Sequence, residues 1–179
     1  MIKTTFHPYK KHIGSLTKNN FWKFTCRYPD GSIKWEEVIK NLVVDEGLYY
    51  SLDTGFMAGT QYSSWYVGLF SSNSTPVNTW DYAGINTDQT EFTNYDETTR
   101  QQWSPVSIVS LALSDEVSFT ASTGVNTTLY GAFLVNVSTK GDSASGVGIM
   151  WCATRFGTPR PYVDSEVLNV TYAINSEDV

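Results

Sequence analysis

The sequence predicts an all-β fold, a jelly-roll-like single-domain β-sandwich with one short helix and an extended N-terminal arm. Three observations lead there. The stretch Val167-Leu168-Asn169-Val170-Thr171-Tyr172-Ala173-Ile174 places Leu168, Val170, Tyr172 and Ile174 on one side and Asn169 and Thr171 on the other, the period of two of a strand with one buried face. Aromatic residues make up 15% of the chain, including 6 Trp and 11 Tyr, and such side chains favour strands. At 179 residues the chain has the size of one domain with a sizeable core that needs no disulfide or metal.

Residues 1–20 form a basic arm and residues 21–179 the sandwich domain. From Phe21 the pattern alternates, with Trp22, Phe24, Cys26 and Tyr28 against Lys23, Thr25 and Arg27. Pro29-Asp30-Gly31-Ser32 supplies a turn, and Ile33, Trp35 and Ile39 continue on a return strand, so 21–40 reads as a hairpin. Glu37 interrupts the alternation and leaves the register beyond Glu36 open. Asp45 is the expected N-cap of the helix, with Val44, Leu48 and Leu52 at a spacing of four and Gly55 closing it. Residues 62–70 read as a buried strand around Trp65, Tyr66, Val67 and Leu69.

From Ser71 to Trp103 the period dissolves into small polar residues interspersed with Trp80, Tyr82, Phe92, Tyr95 and Trp103. Bulky aromatics in an irregular stretch indicate that it lies against the domain or a partner. Regular β-pattern returns over 106–174, with strands expected at 106–113, 116–121, 128–137, 146–156 and 166–174. Ser114-Asp115, Ser122-Thr123-Gly124, Lys140-Gly141-Asp142 and Pro159-Arg160-Pro161 separate them. The strands at 128–137 and 146–156 are apolar on both faces, which suits the middle of a sandwich or a protein interface on the outer side. The expected core comprises Trp65, Val67, Leu69, Phe133, Val135, Ile149, Trp151, Leu168, Val170, Tyr172 and Ile174.

The formal net charge of −6 argues against nucleic acid as a partner, since phosphate binding needs a basic surface. The charge is uneven: the arm carries Lys3, Lys10, Lys11 and Lys18 with no acid, so it is +4 against a body of −10. Such an arm suits an acidic neighbour. Cys26 and Cys152 lie outside any C-x-x-C pair and are expected to be buried thiols. No signal-peptide core and no apolar stretch near 18 residues is present, so the expectation is a protein made in a cytoplasm with no membrane partner. Four sequon matches, at Asn73, Asn126, Asn136 and Asn169, are then strand and loop polars.

The two histidines, His7 and His12, fall in the arm, which leaves no Ser-His-Asp or Cys-His machine and no ordinary His-ligated metal site on a rigid element. G-x-S-x-G and phosphate-cradling Gly motifs are missing. What remains is a run of acids, Asp81, Asp88, Glu91, Asp96 and Glu97, beside the aromatics of 80–103. That mixture is the kind of lining found in sugar-binding or glycoside-cleaving grooves, and its oxygens suit Ca²⁺. Neither reading has diagnostic spacing. The expectation is no enzyme, no catalytic residue, no cofactor and no metal.

Asp30-Gly31-Ser32-Ile33-Lys34-Trp35-Glu36-Glu37, Asn41 to Leu48, Trp65-Tyr66-Val67-Gly68-Leu69-Phe70, Glu91 to Arg100, Tyr130-Gly131-Ala132-Phe133-Leu134 and Pro159 to Ile174 together resemble a family of small virion structural proteins of tailed bacteriophages. The likeness covers roughly residues 21–176. It implies a capsid cement or decoration protein, a β-sandwich or jelly roll bound outside an icosahedral head, with the major capsid protein as partner, the virion as location and no catalytic residue. A small homo-oligomer, dimer or trimer, is expected at a symmetry axis. The runner-up is a tail, head-fibre or adhesion module binding host glycan through 80–103, followed by a glycan-cleaving enzyme. Candidate contact residues, chosen on charge and aromatic character, are Lys3, Phe6, Tyr9, Lys10 and Lys11 in the arm and Trp80, Tyr82, Tyr95 and Trp103 in the irregular stretch. The arm lies outside the resemblance, so nothing is carried over to it.

Overall fold

The computed structural model describes residues 20–106 and 112–175. Strands β1 (Phe21–Arg27), β2 (Ile33–Lys40), β7 (Ala112–Thr120) and β10 (Val167–Asn175) form one sheet in the order β2-β1-β10-β7. Strands β3 (Leu42–Val43), β9 (Met150–Val163), β8 (Asn126–Val135), β4 (Trp65–Phe70) and β5 (Glu91–Phe92) form the other in that order, with β6 (Gln101–Trp103) also pairing β4. All these pairings are antiparallel. One α-helix, α1 (Asp45–Phe56), follows β3, and a π-helical turn spans Ile85–Gln89. The all-β sandwich with one short helix is therefore what the chain forms. Among the described residues no helix is long and apolar enough to cross a membrane.

The hairpin over 21–40 forms as its turn residues require. Gly31 adopts φ +83°, and the Asp30 carboxylate accepts the Ser32 N–H at 2.8 Å. The register runs to Lys40 despite Glu37, because that side chain reaches across to β9. It pairs with Arg160 at 2.9 Å and accepts the Gly157 N–H at 2.7 Å. Alternation survives since an inward carboxylate at a sheet edge has found a cation.

Four expected boundaries are corrected. Ser114-Asp115 does not break a strand: β7 runs through it, paired with β10 from Ala112 to Thr120. Its polar residues Ser114, Glu116 and Ser118 are exposed while Val117 and Phe119 are buried, so Ser114 belongs to the solvent face of a one-faced strand, and Asp115, half-buried on the other face, accepts the Ser104 N–H at 2.7 Å. Most of the strand expected at 106–113 lies outside the described residues. Pro159-Arg160-Pro161 likewise does not end β9, which continues to Val163 against β8. β3 covers β9 only at Cys152 and Ala153, so the prolines sit where β9 is an edge and a missing N–H is tolerated. The helix starts after Val44, which is its N-cap, and Gly55 lies inside it with Met57 as C-cap. Asp45 and Glu46 occupy the first turn, where negative charge complements the helix dipole.

Two cores result. Between the sheets, Trp22, Phe24, Phe119, Leu134, Leu168, Val170 and Tyr172 are buried. On the outer face of the second sheet, Phe70, Phe133, Val135 and Met150 are roofed by Trp80, Tyr82 and Ile85. This explains the two-faced apolar strands, whose outer side is covered by the chain itself. Of the expected core, Trp65, Ile149, Trp151 and Ile174 are only partly buried; Trp65, Trp151 and Ile174 line a cavity at the end of the sandwich. Both cysteines are buried and free, and burial pushes the Cys26 thiol up to about 12.

Candidate binding surfaces

The five arm residues Lys3, Phe6, Tyr9, Lys10 and Lys11 lie outside the described residues. The other four expected contact residues are corrected by their environment, since Trp80, Tyr82, Tyr95 and Trp103 are all buried, none more than 7% exposed. Trp80 meets Phe70 edge to face at 5.7 Å between centroids, Tyr95 meets Phe119 at 4.9 Å, and Trp103 donates its indole N–H to the Tyr172 carbonyl at 3.0 Å. The irregular stretch lies on the domain, and these rings hold it there. A ring sealed in a core presents no face to a partner or to a sugar.

The acids of the same stretch are committed to structure as well. Arg100 and Glu91 are fully buried together. The Arg100 Nε and Nη2 donate to the two Glu91 oxygens at 2.8 and 2.7 Å, and further bonds go to the carbonyls of Val137 and Asp142 at 3.0 and 2.7 Å. Burial opposes the guanidinium charge, yet Glu91 outweighs it and holds the Arg100 pKa above its ordinary value. Asp81 accepts the Gly84 N–H at 2.8 Å, and Glu97 accepts the Thr120 N–H at 3.1 Å. Only Asp88 and Asp96 are left exposed and uncommitted to a backbone N–H. Among the described residues no three His, Cys, Asp or Glu side chains gather as a metal site.

Three other surfaces emerge. The first is the outer face of α1 and the turn after it: Tyr49, Phe56 and Met57 are 74%, 85% and 77% exposed, and Leu52 is also exposed. Tyr49, Leu52 and Phe56 lie three and four residues apart, hence on one helix face. This stripe was readable in the sequence, but the spacing of Val44, Leu48 and Leu52 competed with it as the buried face. Packing decided the matter, because Gly47 is the residue set against β9, so closely that a Cβ there would overlap the Trp151 carbonyl.

The second is a polar cleft of about 760 Å³ between the start of β5, the β7–β8 turn and Lys140, lined by Ser71, Thr93, Asn94, Ser122, Asn126 and Thr127 among others. The Lys140 ammonium lies 4.1 Å over the Tyr95 ring and donates to the carbonyls of Tyr95 and Glu97 at 2.9 and 2.7 Å. Hydroxyls and amides dominate its wall, and no aromatic face is open. The third is a smaller apolar cavity, of about 210 Å³, at the end of the sandwich. No protein-family model, curated protein or solved structure matches the chain.

Proposed function

We propose that the chain is a structural protein of a tailed-phage virion that binds the outside of the capsid and stabilises it, with the major capsid protein as partner. The observation that carries this reading is the uncovered apolar face of α1, Tyr49, Phe56 and Met57, on a sandwich whose other aromatics are largely internal. Large exposed apolar residues grouped on one element mark a protein contact, and aromatics and Met are the residues that interfaces favour. A protein that bridges neighbouring capsid subunits adds free energy to the assembled shell only, and so stabilises it by mass action. No catalytic step is required, and of the acids that suggested one, Glu91 is tied to Arg100 and Asp81 and Glu97 to backbone N–H groups. Association of copies into a dimer or trimer at a symmetry axis belongs to the same reading.

The test is location. Imaging of particles carrying the labelled chain should show it spread over the head in many copies, and loss of Phe56 and Met57 to Ser should strip it from the head without unfolding it. Label confined to the tail in few copies would favour the adhesion reading. A specific observation supports that second reading: the polar cleft offers hydroxyl, amide and ammonium groups of the kind that bind sugar hydroxyls. In that case Asn94→Ala and Asn126→Ala would lower binding to host glycan, whereas the Phe56 and Met57 substitutions would not.

A further inference from the structure

The apolar cavity at the end of the sandwich is built from ring faces. Tyr50 of α1, Trp65, Trp103 and Trp151 supply its aromatic wall, and Leu113 and Ile174 part of the rest. The polar atoms of three of these rings are engaged elsewhere. The Trp103 indole N–H goes to the Tyr172 carbonyl and that of Trp151 to the Tyr172 hydroxyl, each at 3.0 Å, while the Tyr50 hydroxyl accepts the Tyr62 N–H at 2.8 Å. Its volume of about 210 Å³ would hold about seven waters at ~30 Å³ each, but such walls give those waters no partners. The fitting occupant is an apolar side chain.

The chain itself enters the domain at the rim of this cavity. Phe21 pairs with Ala173, which sets Asn20 level with the wall residue Ile174. The Asn20 side chain accepts the Asn175 N–H at 3.1 Å, and its carbonyl accepts the Asn41 N–H at 3.0 Å. The nearest apolar residues preceding it are Leu16 and Ile13, four and seven positions away, a reach of up to ~14 and ~25 Å of extended chain. A segment tethered this closely acts at an effective concentration in the millimolar range. The same arm on another copy must meet that concentration in solution. Lys18 and Lys11 flank the two residues, and the arm's +4 faces a body of −10, so charge also favours the return of the arm.

We propose that the N-terminal segment of the same chain folds back over this end of the sandwich and seats Leu16, with Ile13 beside it, in the aromatic cavity. The inference concerns the root of the arm and stands independently of any capsid.

The full-length chain tests it by cysteine pairing, for which Cys26 and Cys152 are silent because both are buried. With Leu16→Cys and Ile174→Cys together, mild oxidation should give an intramolecular disulfide. It should form at least ~10-fold faster than with Thr5→Cys in place of Leu16→Cys, as expected for the higher effective concentration of the docked residue. In a separate measurement, Leu16→Asp should raise acrylamide quenching of the tryptophan emission while far-UV circular dichroism stays unchanged. Covalent dimers as the main product would mean exchange of arms between copies and would overturn the proposal. Equal rates for the two pairs would overturn it too. So would unchanged quenching in Leu16→Asp together with raised quenching in Ile108→Asp, which would assign the cavity to residues 107–111.

Discussion

Arg100 shows how much a single side chain holds in this protein. Its guanidinium bridges Glu91 on β5 to the carbonyls of Val137 and Asp142, and the Gly141 N–H closes the set on Glu91 at 2.7 Å. The irregular stretch before β6 and the loop after β8 are thereby pinned to each other. Breaking one partner of a buried pair leaves an uncompensated charge, at about 3–5 kcal/mol. Arg100→Met should therefore lower unfolding free energy by about that much, measured by urea denaturation. Glu46 makes a second residue-scale prediction. Its carboxylate accepts the N–H groups of Tyr82 and Met150 at 2.9 and 2.7 Å, yet burial raises its pKa above the ordinary 4.5. A carboxyl whose folded pKa is raised favours folding below its unfolded pKa, and that contribution is lost as pH rises through the folded value. Both N–H groups go to one oxygen, so Glu46→Gln keeps an acceptor for them and removes the titration. The stability of Glu46→Gln relative to the natural chain should then rise from pH 4.5 to 7, read from urea midpoints; a flat difference would contradict the assignment.

At the scale of elements, α1 is placed by the absence of a side chain. A Cβ on Gly47 would meet the Trp151 backbone, and a backbone carbonyl in a strand cannot rotate aside. Ala normally gains up to about 1 kcal/mol over Gly within a helix. At Gly47 the overlap reverses that sign, so Gly47→Ala should destabilise by about 1–3 kcal/mol, the range for overpacking. At Gly55, where nothing lies within 4 Å of the added Cβ, the same change should stabilise by up to about 1 kcal/mol. Thermal melts of the two variants give opposite shifts if α1 lies on β9 as described, and shifts of one sign if it does not. β9 carries the same lesson in its prolines, whose effect depends on whether a neighbour strand asks for their N–H.

For the molecule as a whole, the division between a negative body and a positive arm is the dominant long-range feature. Surface ion pairs contribute about 0–1 kcal/mol each and are screened by salt. Burial of apolar residues must therefore supply most of any hold by the arm, with the lysines contributing rate and register. Deleting residues 2–18 should leave the circular dichroism and the unfolding cooperativity of the sandwich in place and weaken binding to particles at physiological salt. Undiminished decoration by the truncated chain would remove the arm from the proposed contact and leave the α1 face to act alone.

Strands β1, β2, β8 and β10 were legible in the sequence because a period of two is a local property, and so was the 29–32 turn, where Gly31 answers a local backbone demand. The aromatic stretch 71–103 was legible only as something that lies against a surface. Which surface was a tertiary decision, because burial of Trp80, Tyr82, Tyr95 and Trp103 depends on strands distant along the chain, such as β10, whose Tyr172 lies 69 residues from Trp103. The same holds for Glu91, whose partner Arg100 is near in sequence but whose enclosing loop at 137–142 is not. Of the candidate surfaces, the apolar stripe of α1 was written in the spacing of Tyr49, Leu52 and Phe56, while its exposure followed from Gly47 facing β9. The cavity at the sandwich end draws one side chain from each of several elements, and no local pattern encodes such a convergence. Period and turn chemistry act between near neighbours and are carried by the chain itself, whereas a face becomes buried or free only when distant segments have met.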